Sequence, residues 1–379
     1  MLVSDDGSTH SHNRKLERAA KNASRWLFAK LASKHHKNWR GVEVVSPKKI
    51  IVIRQHNQFG DVLCTVPLLR VLHSKFQPDE LAVVVSPQNI AALEGCPYVT
   101  SLIEYDKLSF YKKPSLFFKF IEKLRSGYDV LLVPSNVSIS LTNDIMAFFV
   151  KAPIKIGPRS LENVSNKTSS VYDVAVDLQW GDKIVHQSYR NMKIATLLGV
   201  EQEGDTGELE YKVREDLSAE AKAFLKKIGN NSSRKIAIHA GAGKAPNRWD
   251  AGNFARLAEL LHDELGAELY LTEGPMDHEI MDKLANLMKV PFVRIRNRAI
   301  PLVAAFLERM NLVVTNDTGI MHLSAAVGTS TLSLFGHTDP LQWAPIGKKH
   351  KFILGKGGDI DSISVDKVFA VIKKALEKV

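Results

Sequence analysis

The chain predicts an α/β protein built as two parallel-sheet lobes. Three observations carry this: short apolar strands alternate with helices along most of the sequence, the theme repeats in the second half, and several strands empty into polar, glycine-bearing loops. A chain of 379 residues exceeds one typical core. It suits two lobes of roughly 150–200 residues each, preceded by an extension. The boundaries are an N-terminal extension over 1–45, a first lobe over 46–205 and a second lobe over 206–379 that includes a final helix. With 45% hydrophobic residues, both lobes can bury a core.

The extension is where positive charge is densest in a chain of 51 basic and 41 acidic residues, a net +10. From Arg14 to Arg40 the spacing predicts a helix with Leu16, Ala20, Ala23, Leu27 and Leu31 along one face and Trp26 and Phe28 beside it. Arg14, Lys15, Arg18, Lys21, Arg25, Lys30, Lys34 and Lys37 fill much of the rest. Such a helix either lies on an anionic membrane surface or packs on the first lobe with its lysines solvated. Residues 1–12, polar and rich in Ser and His, are expected to be disordered. The two cysteines, Cys64 and Cys96, form neither a metal-ligand pattern nor a disulfide framework, which points to a reducing cytoplasm. There is no signal peptide and no apolar run of the roughly 18 residues that span a bilayer, so a soluble or surface-bound protein is expected.

The first lobe opens with the β-branched strand Ile50-Ile51-Val52-Ile53, a polar loop, and Gly60-Asp61 at the start of an apolar helix in which Val62, Val66, Leu69 and His73 fall near helical spacing. Pro67 is early enough in that helix to be tolerated. Asp61 is then either a helix cap, contributing about 1 kcal/mol, or a carboxylate presented into a cleft, able to take a proton from an attacking sugar hydroxyl. Spacing leaves both open. Strands follow at Leu81–Val85 and Val130–Val133. A helical segment over 182–199 with His186, Tyr189 and Arg190 leads into the acidic stretch 201–210, read as the connection between lobes.

Strands of the second lobe are expected at Ile236–His239, Glu268–Thr272, Phe292–Ile295, Leu312–Thr315 and Thr331–Phe335. The loop His239–Trp249 is not a P-loop, because that motif needs Gly where Ile238 stands and Ser or Thr where Ala245 stands. Gly241 and Gly243 would admit a ligand, and Lys244 and Arg248 could face phosphate oxygens; a plain surface turn is the alternative. At Thr315–Ala326 a strand gives way to a helix. Asn316 or Asp317 could cap it, Gly319 lets a ligand approach, and His322 to Val327 continue as helix, so its first-turn N–H groups suit a diphosphate. The plain alternative is a capped helix with a structural His322. The turn after Thr331–Phe335, with Thr338, Asp339 and two prolines, is locally stiff. The last helix, Ser364–Val379, is amphipathic and expected to fold back to brace the lobes.

Phe59-Gly60-Asp61-Val62 with Pro67 and Leu68, the His239–Trp249 loop, Asn316-Asp317-Thr318-Gly319 with His322, and Phe335-Gly336-His337-Thr338-Asp339-Pro340 with Trp343 together resemble glycosyltransferase family 9, which includes the lipopolysaccharide heptosyltransferases. The match spans most of residues 48–347. The resemblance implies a GT-B fold, two Rossmann-like lobes with a cleft between them. It also implies an inverting transfer from a nucleotide-diphosphate sugar, by default ADP-heptose, to a lipopolysaccharide-core or similar glycan, with no metal or other cofactor. By matching position Asp61 inherits the role of catalytic base, with Gly60 and Gln58 on the acceptor side. Asp317, Thr318, Gly319 and His322 border the donor diphosphate, joined by Gly241, Gly243, Lys244 and Arg248. Many members carry Lys two residues before the Trp of the second segment; here Asn247 stands there, so Arg248 or Lys244 must substitute. Asp277 is expected at the ribose, with Glu273 as alternative, and the base between Arg298 and Leu302. The implied glycolipid acceptor places the protein on the cytoplasmic face of the inner membrane if the N-terminal helix binds lipid. Two other readings are a sugar-nucleotide epimerase on the same scaffold and a non-catalytic basic protein that binds polyanions. Nucleic acid is not expected as a partner, because no module for it is evident and aromatics are not interleaved with the basic residues.

Overall fold

The computed structural model describes Lys30 and residues 46–55, 58–135, 137–181, 183–200, 204–228 and 234–377. The basic helix expected over 14–40 therefore lies outside the described residues, apart from Lys30. Among the described residues the first sheet contains β1 (Lys49–Ile53), β2 (Glu80–Val85), β3 (Ser101–Glu104), β4 (Val130–Leu132), β5 (Ile154–Leu161), β6 (Val164–Ser165) and β7 (Val174–Leu178). Their order is β3-β2-β1-β4-β5, with β6 and β7 both paired to β5, and the β5–β6 pair is antiparallel. The second sheet is parallel throughout: β8 (Lys235–His239), β9 (Glu268–Glu273), β10 (Phe292–Arg296), β11 (Leu312–Asn316), β12 (Ser330–Phe335) and β13 (His350–Leu354), in the order β10-β9-β8-β11-β12-β13. The expected two-lobed α/β architecture is present. In each lobe the strand order reverses beside the first strand, between β1 and β4 and between β8 and β11. Such reversals open a crevice beyond the strands' carboxyl ends.

The helices of the first lobe are α1 (Phe59–Leu63), α2 (Val66–Phe76), α3 (Lys107–Lys112), α4 (Pro114–Leu124), α5 (Leu141–Phe149) and α6 (Gln187–Met192). Those that follow are α7 (Glu215–Ile228), α8 (Ala251–Leu265), α9 (His278–Leu287), α10 (Ile300–Leu307), α11 (Gly319–Ala326), α12 (Pro340–Trp343) and α13 (Val365–Leu376). Because strand side chains alternate between faces, β1 is divided between two cores. Ile51 and Ile53 join Phe120, Leu124 and Met146. Ile50 and Val52 join a larger cluster that runs through Leu69 and Tyr211 to Leu225, Tyr270 and Phe306 of the second lobe. The base of the seam between lobes is thus continuous apolar packing.

Two expectations are corrected. The single helix expected after Gly60-Asp61 is broken into α1 and α2, since Pro67 has no N–H for the Leu63 carbonyl. Thr65 Oγ1 donates to the Asp61 carbonyl at 3.3 Å and accepts from Arg54 Nε at 3.0 Å, turning the chain between the two helices. The final helix, α13, packs on α8 instead of bracing the lobes: its buried stripe Val365, Val368 and Ile372 belongs to the second-lobe core. Contact between lobes comes partly from the connection. Arg70 holds Asp205 with two bonds of 2.7 Å, Tyr211 N–H donates to the Ala326 carbonyl at 2.9 Å, and Lys212 N–H donates to the Gly95 carbonyl at 2.7 Å.

Trp249 closes the second lobe beneath the glycine-rich loop. It is fully buried, its indole Nε1 donates to the Ile363 carbonyl at 3.0 Å, and its backbone N–H donates to Asn316 Oδ1 at 3.2 Å. Trp249→Ala should cost about 3–5 kcal/mol of unfolding free energy, the usual scale for a large aromatic removed from a core. Urea titration measures this, and a loss under about 1 kcal/mol would show that the core does not depend on the indole.

Candidate active site

Asp61 lies in the first turn of α1, with Gln58 at the N-cap, so the carboxylate is not a cap. It is 1% exposed. Burial raises its pKa from 3.8 to about 6, and the positive charge of Arg54 opposes that rise. Arg54 is the first residue beyond β1 and is itself buried; its Nη2 donates to the Asp61 carbonyl at 3.2 Å. The cation is held against the backbone of α1, and Asp61 stays mostly ionised above neutrality.

Helix α1 meets α11 across the seam. A Cβ on Gly60 would lie 2.5 Å from His322 Cδ2, so this approach requires glycine, and the Phe59 ring stands over Gly319. His322 is 3% exposed, with Nδ1 3.8 Å from Cys64 Sγ. Burial, aided by His186, pushes its pKa down to about 3, and the ring is neutral. His186 is also buried, at about 4. Its Nδ1 accepts from Ser188 N–H at 3.2 Å, so Nε2 carries the proton and donates to the Ala344 carbonyl of the second lobe at 3.0 Å. Gly60, expected on the acceptor side, and His322, expected beside the diphosphate, are therefore packed into the seam, because α1 and α11 present those positions to each other. Gln58 remains exposed.

The loops of the second lobe gather at its reversal point. Thr318, not Asn316 or Asp317, caps α11, accepting from Ile320 N–H at 3.1 Å, and the helix begins at Gly319. Asn316 is fully buried and binds the neighbouring loop instead, donating to the carbonyls of Ala240 at 2.9 Å and Gly241 at 3.3 Å. Burial raises the pKa of half-buried Asp317, as does the charge of Asp61; a Thr338 hydrogen bond and the charge of Lys244 act the other way. The charge of Asp61, from the first lobe, thus acts on Asp317 of the second. Asn247 donates to Thr338 Oγ1 at 2.9 Å, extending a polar chain from Asp317 through Thr338. Lys244 and Gly243 are exposed, whereas Arg248 is half-buried with Nε donating to the Ala242 carbonyl at 2.8 Å.

Asp277 sits against Gly241 so closely that a Cβ there would overlap its carboxylate. It accepts from Gly274 N–H at 3.1 Å and lies 3.8 Å from His239 Nε2. The His239 Nδ1 faces the Thr272 carbonyl at 2.9 Å, so Nδ1 carries a proton. Burial pulls the His239 pKa down while Asp277 opposes the fall. Glu273, the alternative to Asp277, is engaged elsewhere: Arg294 Nε at 3.1 Å, Arg296 Nε at 3.0 Å and His278 surround its buried side chain. Arg298 is exposed ahead of α10 while Leu302 is buried, so only the start of that stretch is open to solvent.

Four contributors carried no assigned role in the sequence: Arg54, His186, His239 and Thr338. Arg54 had a signal, a charge directly after four apolar strand residues. His239 and Thr338 gain their partners only through tertiary contact, as His186 does its Ala344 carbonyl. Among the described residues no three His, Cys, Asp or Glu side chains form a metal-binding group, and no helix is long and apolar enough to cross a membrane.

The family model described as "Glycosyltransferase family 9 (heptosyltransferase)" matches residues 117–366. The chain is 25% identical over 299 residues to lipopolysaccharide heptosyltransferase 3 of Escherichia coli, covering 76% of this chain and 83% of that protein. It is 22% identical over 315 residues to the lipopolysaccharide core heptosyltransferase OpsX of Haemophilus influenzae, covering 79% and 82%. Among solved structures, a family 9 glycosyltransferase from Veillonella parvula superposes with a TM-score of 0.78 at 21% identity, covering 90% of this chain and all of that one. E. coli heptosyltransferase WaaC with ADP superposes with a TM-score of 0.69 at 19% identity, covering 86% and 99%. These structures share the two-lobed fold.

The Asp61 carboxyl titrates near 6 in the folded protein against 3.8 for the ordinary group. The stability it contributes is full below about pH 3.8 and is lost as pH rises through about 6, by roughly 3 kcal/mol at full ionisation. Asp61→Asn has no charge to desolvate and should gain on wild type across that window, read by urea unfolding at pH 4 and pH 8. A difference independent of pH would show that the carboxylate is not desolvated.

Proposed function

The chain belongs to glycosyltransferase family 9, and from that premise we propose that it transfers heptose from ADP-heptose to a lipopolysaccharide-core or similar glycan, with inversion at the anomeric carbon. The observation that supports this reading is the close approach of the helices that follow β1 and β11, Gly60 against His322, which brings Asp61 of one lobe near enough for its charge to act on Asp317 of the other. The names of the relatives and the ADP of the WaaC structure support the choice of sugar and base. Residues 46–205 serve as the acceptor side and 206–379 as the donor side.

The acceptor hydroxyl attacks the anomeric carbon as the bond to the diphosphate oxygen breaks, and Asp61 takes the hydroxyl proton. One displacement from the face opposite the leaving group inverts the configuration. Negative charge grows on the diphosphate, where fixed donors are most effective. Those donors are the first-turn N–H groups at Thr318 and Gly319, with Lys244 as the cation. Lys244 is favoured over Arg248 because its side chain is exposed and its charge reaches Asp317, whereas the Arg248 guanidinium is tied to the Ala242 carbonyl. Gly241 makes room for the Asp277 carboxylate, and Asp277 is the acceptor assigned here to the ribose hydroxyls.

Asp61→Asn should lower transfer by roughly 100-fold or more, the scale for a lost general base, while nucleotide affinity stays near wild type. Unchanged turnover in a radiolabel transfer assay would remove Asp61 from the mechanism. In wild type, kcat/KM should fall as pH drops below about 6, following protonation of one group; a flat profile through that range would assign the base elsewhere. Lys244→Ala should weaken ADP binding by about tenfold or more and Arg248→Ala by much less, measured by calorimetry. The reverse order would make Arg248 the phosphate ligand.

A further inference from the structure

We propose that α3 and α4 form a docking surface for an anionic lipid bilayer at the outer edge of the first lobe. The docking stands on the surface itself; its use, presenting a lipid-linked acceptor, rests on the glycosyltransferase reading.

Every residue from Tyr111 to Lys119 is exposed. Leu108, Tyr111 and Phe118 are 73%, 76% and 70% exposed, an apolar concentration that a protein surface facing only water rarely gathers in one place. They are not poorly packed core residues. The inner side of the same pair is a close aromatic stack, with Phe110 at 5.6 Å from Tyr105, 5.7 Å from Phe117 and 5.3 Å from Phe120 between ring centroids. Asp106 caps α3, accepting from Leu108 and Ser109 N–H at 3.0 and 3.1 Å, and Pro114 starts α4. The outward side chains stand on a fixed base.

Charge decides the occupant. Between Glu104 and Arg125 the chain carries Lys107, Lys112, Lys113, Lys119, Lys123 and Arg125 against Glu104, Asp106 and Glu122, six minus three or +3. Apolar side chains rimmed by lysines fit the headgroup region of an anionic bilayer, where the rings and Leu108 enter the interface and the lysines meet phosphate. A second copy of this face would bring like charge against it. The N-terminal stretch from Arg14 to Lys37 is also cation-rich, so it does not complement the patch either. The location suits the chemistry: α3 leaves the carboxyl end of β3, and Asp61 follows the carboxyl end of β1, two strand positions away. Two strand spacings amount to about 10 Å, so a glycolipid held at this edge has its sugars near the proposed base.

The test is flotation of the full-length protein with vesicles of phosphatidylglycerol and phosphatidylethanolamine, against vesicles of phosphatidylcholine alone. Binding should require the anionic lipid and weaken as salt rises. The combined change Leu108→Ser, Tyr111→Ser and Phe118→Ser should lower partitioning at least tenfold, and Lys112→Gln, Lys113→Gln and Lys119→Gln about fivefold for each lysine. Both sets should keep the wild-type melting temperature and the wild-type rate with a soluble acceptor sugar. The proposal is overturned if both sets float like wild type, if phosphatidylcholine binds equally well, or if the apolar changes instead convert a wild-type dimer into a monomer in ultracentrifugation. Vesicle binding without any sugar transfer would sink the glycosyltransferase reading and leave the docking surface intact.

Discussion

Helices α1 and α11 approach so closely at Gly60 and His322 that a single added carbon would collide with the imidazole, and this contact sets the geometry of the site. It joins the loop beyond β1 to the loop beyond β11, the carboxyl ends at which parallel sheets present ligands. The contact also excludes water from the carboxylate beside it. Burial is the largest influence on Asp61, and the seam supplies part of that burial with an uncharged ring.

The charges around the cleft are arranged in opposition. Asp61 and Asp317 repel each other and are both partly desolvated; Arg54 answers from beneath α1 and Lys244 from the opposite loop. Arg54 is immobilised by Thr65 and the Asp61 carbonyl. Lys244 is exposed and can follow a ligand. In the proposed reaction a diphosphate would add negative charge next to Asp317, to be offset by the first turn of α11 and Lys244. Asp317 is therefore better suited to fixing its loop through Thr338 than to touching phosphate.

The central strands were legible because parallel strands covered on both faces read as unbroken apolar runs, as Ile50–Ile53 and Leu312–Val314 do. The edge strands β3 and β13 were not. β3 buries only Ile103 and β13 only Ile353, so their sequences lack the apolar run. The break before α2 was present in the sequence as the missing N–H of Pro67, but helical spacing on either side masked it. Periodicity also reports which residues could be buried together, not which neighbours exist. It marked the stripe on α13 correctly and could not tell that α8 would cover it. The glycines and the Asn-Asp-Thr-Gly run marked loops that the fold gathers at the reversal point of the second sheet. Which polar group caps α11, and that His322 turns to the first lobe, depend on partners far away in the chain.

Asn247 shows how a departure from the family pattern can be absorbed by the fold. A lysine at that buried position would place a cation near Thr338 and Asp317, in addition to Lys244. Asn247 instead supplies a neutral N–H to Thr338, which in turn bonds Asp317. The polar chain is satisfied without a buried charge, avoiding a desolvation cost that an unpaired ammonium would incur. The positive charge then rests on Lys244, on a flexible stem in contact with solvent. Attraction from such a position is screened by salt more than attraction from a buried one. Under the proposed function, exchanging the buried cation for a fixed hydrogen-bonded chain would trade strength of phosphate attraction for rigidity of the loop, which Trp249 and Asn316 hold from below.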